Sequence, residues 1–190
     1  MVARRLIIPL LLLTFCFCPL TPRKAASETS AENRKTGMPE VRVLADKDYF
    51  PVLIDLIRKG TTSIDISMFI FKASGKNNNL PTVLVEELGK ARKKGLKIRV
   101  FLEKSGHDEE INSTNLQTAT LLRANGIEVI FESPRITNHS KLVVVDLRFC
   151  LVGSHNLTQA ALKYNHELSL LIDNQQLARQ LTKYMEGFER

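Results

Sequence analysis

Apolar residues along the chain fall in short blocks whose spacing switches between two residues and about 3.6. Ser63–Phe71 alternates Ile64, Ile66, Met68 and Ile70 and predicts a buried strand. The block before it, Phe50–Lys59, carries Val52, Leu53, Leu56 and Ile57 at helical spacing and stops at Gly60. After the polar loop Lys72–Asn79, Pro81 suits the first turn of a helix running through Val83, Leu84, Glu87, Leu88 and Ala91 to Gly95. Lys97–Leu102 reads as the next strand, Glu103–Asn115 as a polar loop, Leu116–Ala124 as a helix ended by Gly126, and Ile127–Phe131 as a strand. The runs Val143–Val145 and Phe149–Val152 are separated by a short Leu147-Arg148 break and read as paired strands. A helical segment Leu157–Lys163, a strand Leu168–Ile172 and a closing helix Gln175–Phe188 complete the pattern. Strands alternating with helices predict an α/β domain, a layered α/β/α sandwich around a mixed β-sheet. The strand pair at 143–152 excludes a purely parallel sheet.

One core is expected from 190 residues. The pattern divides the chain into a leader over 1–26, a linker over 27–40 and a single domain over 41–190. The leader has Arg4-Arg5 ahead of an almost wholly apolar run, Leu6–Leu20, which fits a secretory signal peptide better than a full span of about 20 residues. Export to a periplasm or the medium is the expectation, with an uncleaved N-terminal membrane anchor as the alternative. The linker is rich in Ser, Glu, Asn and Lys and reads as disordered. Net charge is +7 over the whole chain, but from residue 41 onward 21 Lys and Arg stand against 17 Asp and Glu. That modest surplus is compatible with polyanionic partners without identifying one. Past the leader only Cys150 remains, which excludes an intrachain disulfide in the domain.

The chemistry concentrates between Asn138 and Glu167. His139 and Lys141 are two apart, so in a strand they project side by side and set a nucleophile or base beside a fixed positive charge. Gly153 permits a close backbone approach. Ser154 and Asn156 are short polar groups just ahead of the Leu157–Lys163 segment, where a helix N-terminus favours anions. Imidazole, ammonium, amide, hydroxyl and helix end together describe a phosphate site. The pattern His139-x-Lys141-(x)4-Asp146-(x)6-Gly153-Ser154-x-Asn156, with Glu167 eleven residues on, resembles the HKD motif of the phospholipase D superfamily. The resemblance runs over about residues 41 to 190 and is nearest to the small single-motif bacterial endonucleases.

That resemblance implies a metal-independent phosphodiesterase without a cofactor. His139 is the expected nucleophile, Lys141, Asn156 and Ser154 hold the phosphoryl oxygens, and Glu167 accepts the other ring N–H of His139. Asp146, on the opposite strand face from His139, supports the site from behind together with Gly153. One histidine cannot readily attack and protonate the leaving group in the same step, so the chain is expected to form a homodimer with one composite site. Nucleic acid, DNA and by the same chemistry RNA, is the leading substrate. A phospholipid head-group phosphodiester is the alternative, with membrane association through the N-terminal apolar segment. A catalytically silent nucleic-acid-binding module is disfavoured by the intact His139, Lys141, Asn156 and Glu167.

Three other groups read as surface. The basic cluster Lys90, Arg92, Lys93, Lys94, Lys97 and Arg99 lies at a helix end, where cations complement the dipole. The contiguous His107-Asp108-Glu109-Glu110 is not expected to converge on a metal. His155 is expected as an exposed rim residue and, with His166, stands outside the catalytic set.

Overall fold

The structure, a computed structural model, describes residues 39–75, 78–133 and 135–189. The expected leader, and the expected linker up to residue 38, lie outside the described residues. Seven strands form one mixed sheet: β1 Glu40–Ala45, β2 Ser63–Met68, β3 Lys97–Leu102, β4 Glu128–Phe131, β5 Lys141–Val145, β6 Phe149–Gly153 and β7 Leu168–Asp173. Their order is β1-β7-β6-β5-β2-β3-β4. β2, β3 and β4 run parallel, and every other neighbouring pair is antiparallel. The helices are α1 Tyr49–Lys59, α2 Leu80–Lys93, α3 Glu109–Ala124, α4 Gln159–Lys163 and α5 Gln175–Glu186. Among these described residues no helix is long and apolar enough to cross a membrane.

The alternation read in the sequence divides the two faces. Ile64, Ile66 and Met68 of β2, with Val143 and Val145 of β5, pack beneath α1, α2 and α3 around Leu53, Ile57, Leu84, Leu88 and Leu122. Their neighbours Leu142 and Val144, with Phe101 and Cys150, face the other way onto Ala178 and Met185 of α5. Burial of these two sets is the main stabilising term, because both faces of the central strands are removed from water. Polar residues on the α5 face are paired: Asp65 holds Arg99 through two hydrogen bonds of 2.8 and 3.1 Å, and Arg99 reaches Glu186 of α5 at 3.4 Å.

Several boundaries differ from the sequence reading, each for a local reason. α3 starts at Glu109 rather than Leu116, capped by Asp108, whose Oδ1 accepts the Ile111 N–H at 3.0 Å. Its polar residues Asn115 and Thr118 are fully buried because they bond main chain: Asn115 Oδ1 accepts the Phe71 N–H at 3.0 Å, and Thr118 Oγ1 accepts the Ala73 N–H at 3.0 Å. β2 stops at Met68, and Phe71 instead bridges Leu157. α4 starts at Gln159 with Thr158 as its cap. In the basic cluster, Lys90 binds Glu87 at 2.8 Å and Arg92 donates to the Gly126 carbonyl at 2.9 Å, so part of it is structural.

The α1–α2 seam carries a buried carboxylate, Glu87, which accepts from Arg58 at 2.9 and 3.1 Å and from Lys90 at 2.8 Å. Arg58 first, and then Lys90, hold its pKa down at about 2. Folded Glu87 therefore binds its proton more weakly than the unfolded group at about 4.3. Its contribution is complete above that pH and is lost as pH falls towards 2. Glu87→Gln is expected to lower Tm at pH 7 by about 3 °C and to flatten the decline in Tm between pH 5 and pH 2. Thermal melts of both proteins across that range check it; parallel curves would show that the pair contributes nothing.

Candidate active site

The sheet changes from parallel to antiparallel pairing between β2 and β5, and His139, Lys141, Gly153, Ser154 and Asn156 gather at one end of that junction. The C-terminal ends of β2 and β6 meet the N-terminal ends of β5 and β7 there, with Met68 opposite Lys141 and Gly153 opposite Ser169. A crevice outside strand ends at such a switch point is where open α/β sheets bind ligands. Gly153 is required by the close approach: a Cβ on it would lie 2.2 Å from Ser169 Oγ and 2.4 Å from the Leu168 carbonyl.

His139 is exposed and sits just before β5, not within it. Its polar neighbour is Lys141, whose Nζ lies 3.1 Å from Nδ1 and 3.4 Å from Nε2 and donates to the His139 carbonyl at 2.8 Å. An ammonium has only donors, so the ring nitrogen it faces offers a lone pair. Phe69 supports both groups, its ring 4.4 Å from the His139 ring and 4.9 Å from Lys141 Nζ. Burial lowers the pKa of Lys141, with the negative charge of Glu167 acting the other way.

Ser154, Asn156 and Glu167 are brought to the same end. The Glu167 carboxylate accepts from Ser154 Oγ and from Asn165 Nδ2, the latter at 3.1 Å. Its partners among the described residues do not include the His139 ring. Asn156 Oδ1 accepts the Ile70 N–H at 3.3 Å, which leaves its amide NH2 as the donor group. Neither Ser154 nor Asn156 lies at a helix N-terminus, because Leu157 is held in its bridge to Phe71 and α4 begins only at Gln159. The polar groups presented at this end by Ser154 and Asn156 are therefore side chains. Asp146 lies at the far end of β5, where its carboxylate accepts from the main-chain N–H groups of Thr61, Thr62 and Ser63 and from both threonine hydroxyls. It secures the turn into β2.

His155 is the clearest departure from expectation. It is fully buried, stacked on Tyr49 at 4.3 Å, with Nε2 2.9 Å from the Asp46 carbonyl and Nδ1 2.7 Å from Ser169 Oγ. A carbonyl only accepts, so Nε2 carries the proton and Nδ1 accepts from the serine. The residue it steadies, Asp46, has a positive φ of 51° and clamps Glu167 from both sides. Asp46 N–H donates to the Glu167 carbonyl at 2.9 Å, and Asp46 Oδ1 accepts the Glu167 N–H at 2.9 Å. His166, fully exposed, pairs with the other Asp46 oxygen at 3.2 Å. Asp46 and Phe69 escaped the sequence reading; an aromatic just past a buried strand and a carboxylate just past another were the only signals they gave.

His155→Phe keeps the ring against Tyr49 but removes both hydrogen bonds, taking away one of the donors to the Asp46 carbonyl, which keeps the Tyr49 N–H, and the ring nitrogen that Ser169 Oγ faces. It is expected to lower stability by about 2 kcal/mol, read as the shift of a urea unfolding midpoint at unchanged slope. An exposed rim histidine would show no such loss.

Residues 53–188 match the family described as cardiolipin synthase, PLD-like domain. The chain is 28% identical over 154 residues to the virion nicking-joining enzyme of vaccinia virus, covering 75% of this chain and 34% of that protein. It is 32% identical over 108 residues to a phospholipase D of Rickettsia typhi, covering 56% and 48% respectively. It thus spans about a third to a half of the length of these curated relatives. Among solved structures it is similar to the phospholipase D family member Nuc from Salmonella typhimurium, with a TM-score of 0.67 and 22% identity over 79% of this chain and 93% of that one. With His139, Lys141, Ser154 and Asn156 gathered at one sheet end and the family match covering most of the domain, this chain belongs to the phospholipase D superfamily of phosphodiesterases.

Proposed function

We propose that the protein is an endonuclease that cleaves nucleic acid phosphodiesters, DNA foremost, through a phosphohistidine on His139. The observation that carries this is the exposed His139 ring with Lys141 Nζ 3.1 Å away and no carboxylate hydrogen-bonded to it among the described residues. A free ring nitrogen beside an ammonium suits attack on an anionic phosphodiester, because the ammonium meets the charge as the nucleophile meets phosphorus. Lys141 and the Asn156 amide hold the non-bridging oxygens. Glu167 fixes the Ser154 hydroxyl and sustains the charge on Lys141.

In the first step the His139 nitrogen forms a bond to phosphorus and the phosphorus–oxygen bond to the leaving group breaks. The proton for the leaving oxygen comes from the His139 of a second copy in a homodimer, and water then releases the product and frees the first ring. Support for self-association comes from the α5-side face of the sheet. Val43, Leu170 and Val152 lie in register across β1, β7 and β6, next to Leu168, and Val43, Val152 and Leu168 are exposed there beside Ser154. An apolar strip adjoining the site is a surface that a symmetric partner would cover while delivering the second histidine. The same strip favours a second reading, a phospholipid head-group phosphodiesterase, since an aliphatic rim would also rest against a bilayer.

Plasmid DNA, single-stranded RNA and phospholipid vesicles, each offered in EDTA to the protein and to His139→Ala, separate these readings. Nucleic acid cleavage reduced at least about 10⁴-fold in the variant is the expected result. Vesicle turnover with intact DNA would replace it by the lipid reading, and activity that returns only with a divalent cation would sink the mechanism. Burial lowers the Lys141 pKa against the opposing charge of Glu167. The alkaline limb of the rate profile is therefore expected below the ordinary lysine value of about 10.4. In the residual activity of Glu167→Gln that limb moves to still lower pH, because the charge that favours the ammonium is gone. A limb unmoved by Glu167→Gln would detach it from Lys141.

A further inference from the structure

His139 makes few contacts of its own, so its place is set by the residues on either side. Asn138 precedes it and is almost fully buried. The Asn138 amide Nδ2 donates to Ser67 Oγ at 3.0 Å, while Oδ1 accepts the Ser140 N–H at 3.1 Å and the Ser140 hydroxyl at 2.6 Å. An Asn oxygen bonded two residues on closes a local turn, here with His139 at its apex. The Ser140 carbonyl accepts the Phe69 N–H at 3.1 Å, which ties this turn to the aromatic ring under His139.

The main-chain N–H of Asn138 donates to Glu103 Oε2 at 2.6 Å. Glu103 is 1% exposed, just past the end of β3. Its own main chain is held at both ends: the N–H donates to the Met68 carbonyl at 3.3 Å, and the carbonyl accepts from Asn115 Nδ2 at 3.0 Å. Asn115 Nδ2 also donates to the Phe69 carbonyl at 2.9 Å. One carboxylate, anchored to the stretch Met68-Phe69 at the end of β2, thus grips the residue next to His139.

A buried carboxylate is an expensive acceptor for one main-chain N–H, which a neutral amide could satisfy. A charged acceptor makes that hydrogen bond shorter and stiffer. The neighbouring Glu132 bears the consequence: burial first, and then the negative charge of Glu103, raise its pKa, and its Oε2 is buried without a partner among the described residues. Keeping two carboxyl groups together in the interior is destabilising, and the gain is a rigid hold on one loop.

We propose that Glu103 is the positioning residue of the nucleophile, setting the His139 ring against Lys141 and Phe69 through the Asn138 main chain without touching the ring. This rests on His139 acting as the nucleophile.

The test uses the full chain and a single-stranded oligonucleotide, with kcat, KM, Tm and the amount of phosphohistidine trapped on acid quench measured for each variant. Glu103→Gln preserves the shape and an acceptor oxygen but not the charge, and is expected to lower kcat by only about threefold. Glu103→Asp withdraws the oxygen by one methylene, and Glu103→Leu removes it. Expected are falls in kcat of about 10-fold and 100-fold, a matching loss of trapped phosphohistidine, and KM within about twofold. Should the Leu variant fail to fold, the Asp and Gln pair decides alone. Unchanged kcat in the Asp variant overturns the proposal, as does an equal fall in Gln and Asp that follows Tm. An inactive wild type, or an active His139→Ala, overturns the nucleophile reading and takes this inference with it.

Discussion

The site depends on where β2 stops pairing. Its ladder with β5 runs from Ile64 opposite Val145 to Met68 opposite Lys141, and one more bond, Phe69 N–H to the Ser140 carbonyl, closes it. Beyond that point the backbone still carries donors and acceptors that must be satisfied away from water. Three side chains from two distant segments supply them: Asn156 for Ile70 and, from α3, Asn115 for Phe69 and Phe71 and Thr118 for Ala73. The requirement to satisfy one short stretch of main chain therefore assembles the residues on which His139 and Lys141 rest.

Two buried networks flank the reactive pair. On one side Glu103 and Asn138 hold the turn that carries His139. On the other, Tyr49 and His155 hold Asp46, and Asp46 clamps Glu167. The groups proposed to meet the substrate are exposed or half-buried, while those that locate them are mostly buried. That division lets the reacting atoms stay accessible and fixed at once, because precision comes from the packed residues behind them.

Much of the fold was legible in the residues. Period-two blocks marked β2 and β5, period-3.6 blocks marked α1 and α2, and the typed spacing from His139 to Glu167 pointed to phosphodiester chemistry before any coordinates. The failures share one cause. Asn115, Thr118 and His155 look like surface residues because they are polar, yet all are fully buried. Their partners are main-chain groups and, for His155, also the Ser169 hydroxyl, all far along the chain, and a hydrogen bond between residues 14 to 109 positions apart leaves no periodic trace.

What the sequence by itself determined is the set of parts: the element types, the layered α/β architecture, and the motif residues proposed to attack and hold a phosphate. Side-chain type and local spacing carry that information, since they act over a few residues. The tertiary structure alone decided that His139 sits in a turn rather than a strand, that side chains and not a helix end lie beside it, and that Glu167 faces Ser154. Those outcomes follow from how buried polar groups find partners across the sheet. The pairing is settled only when all segments are in place, because each donor and acceptor must be satisfied against every other.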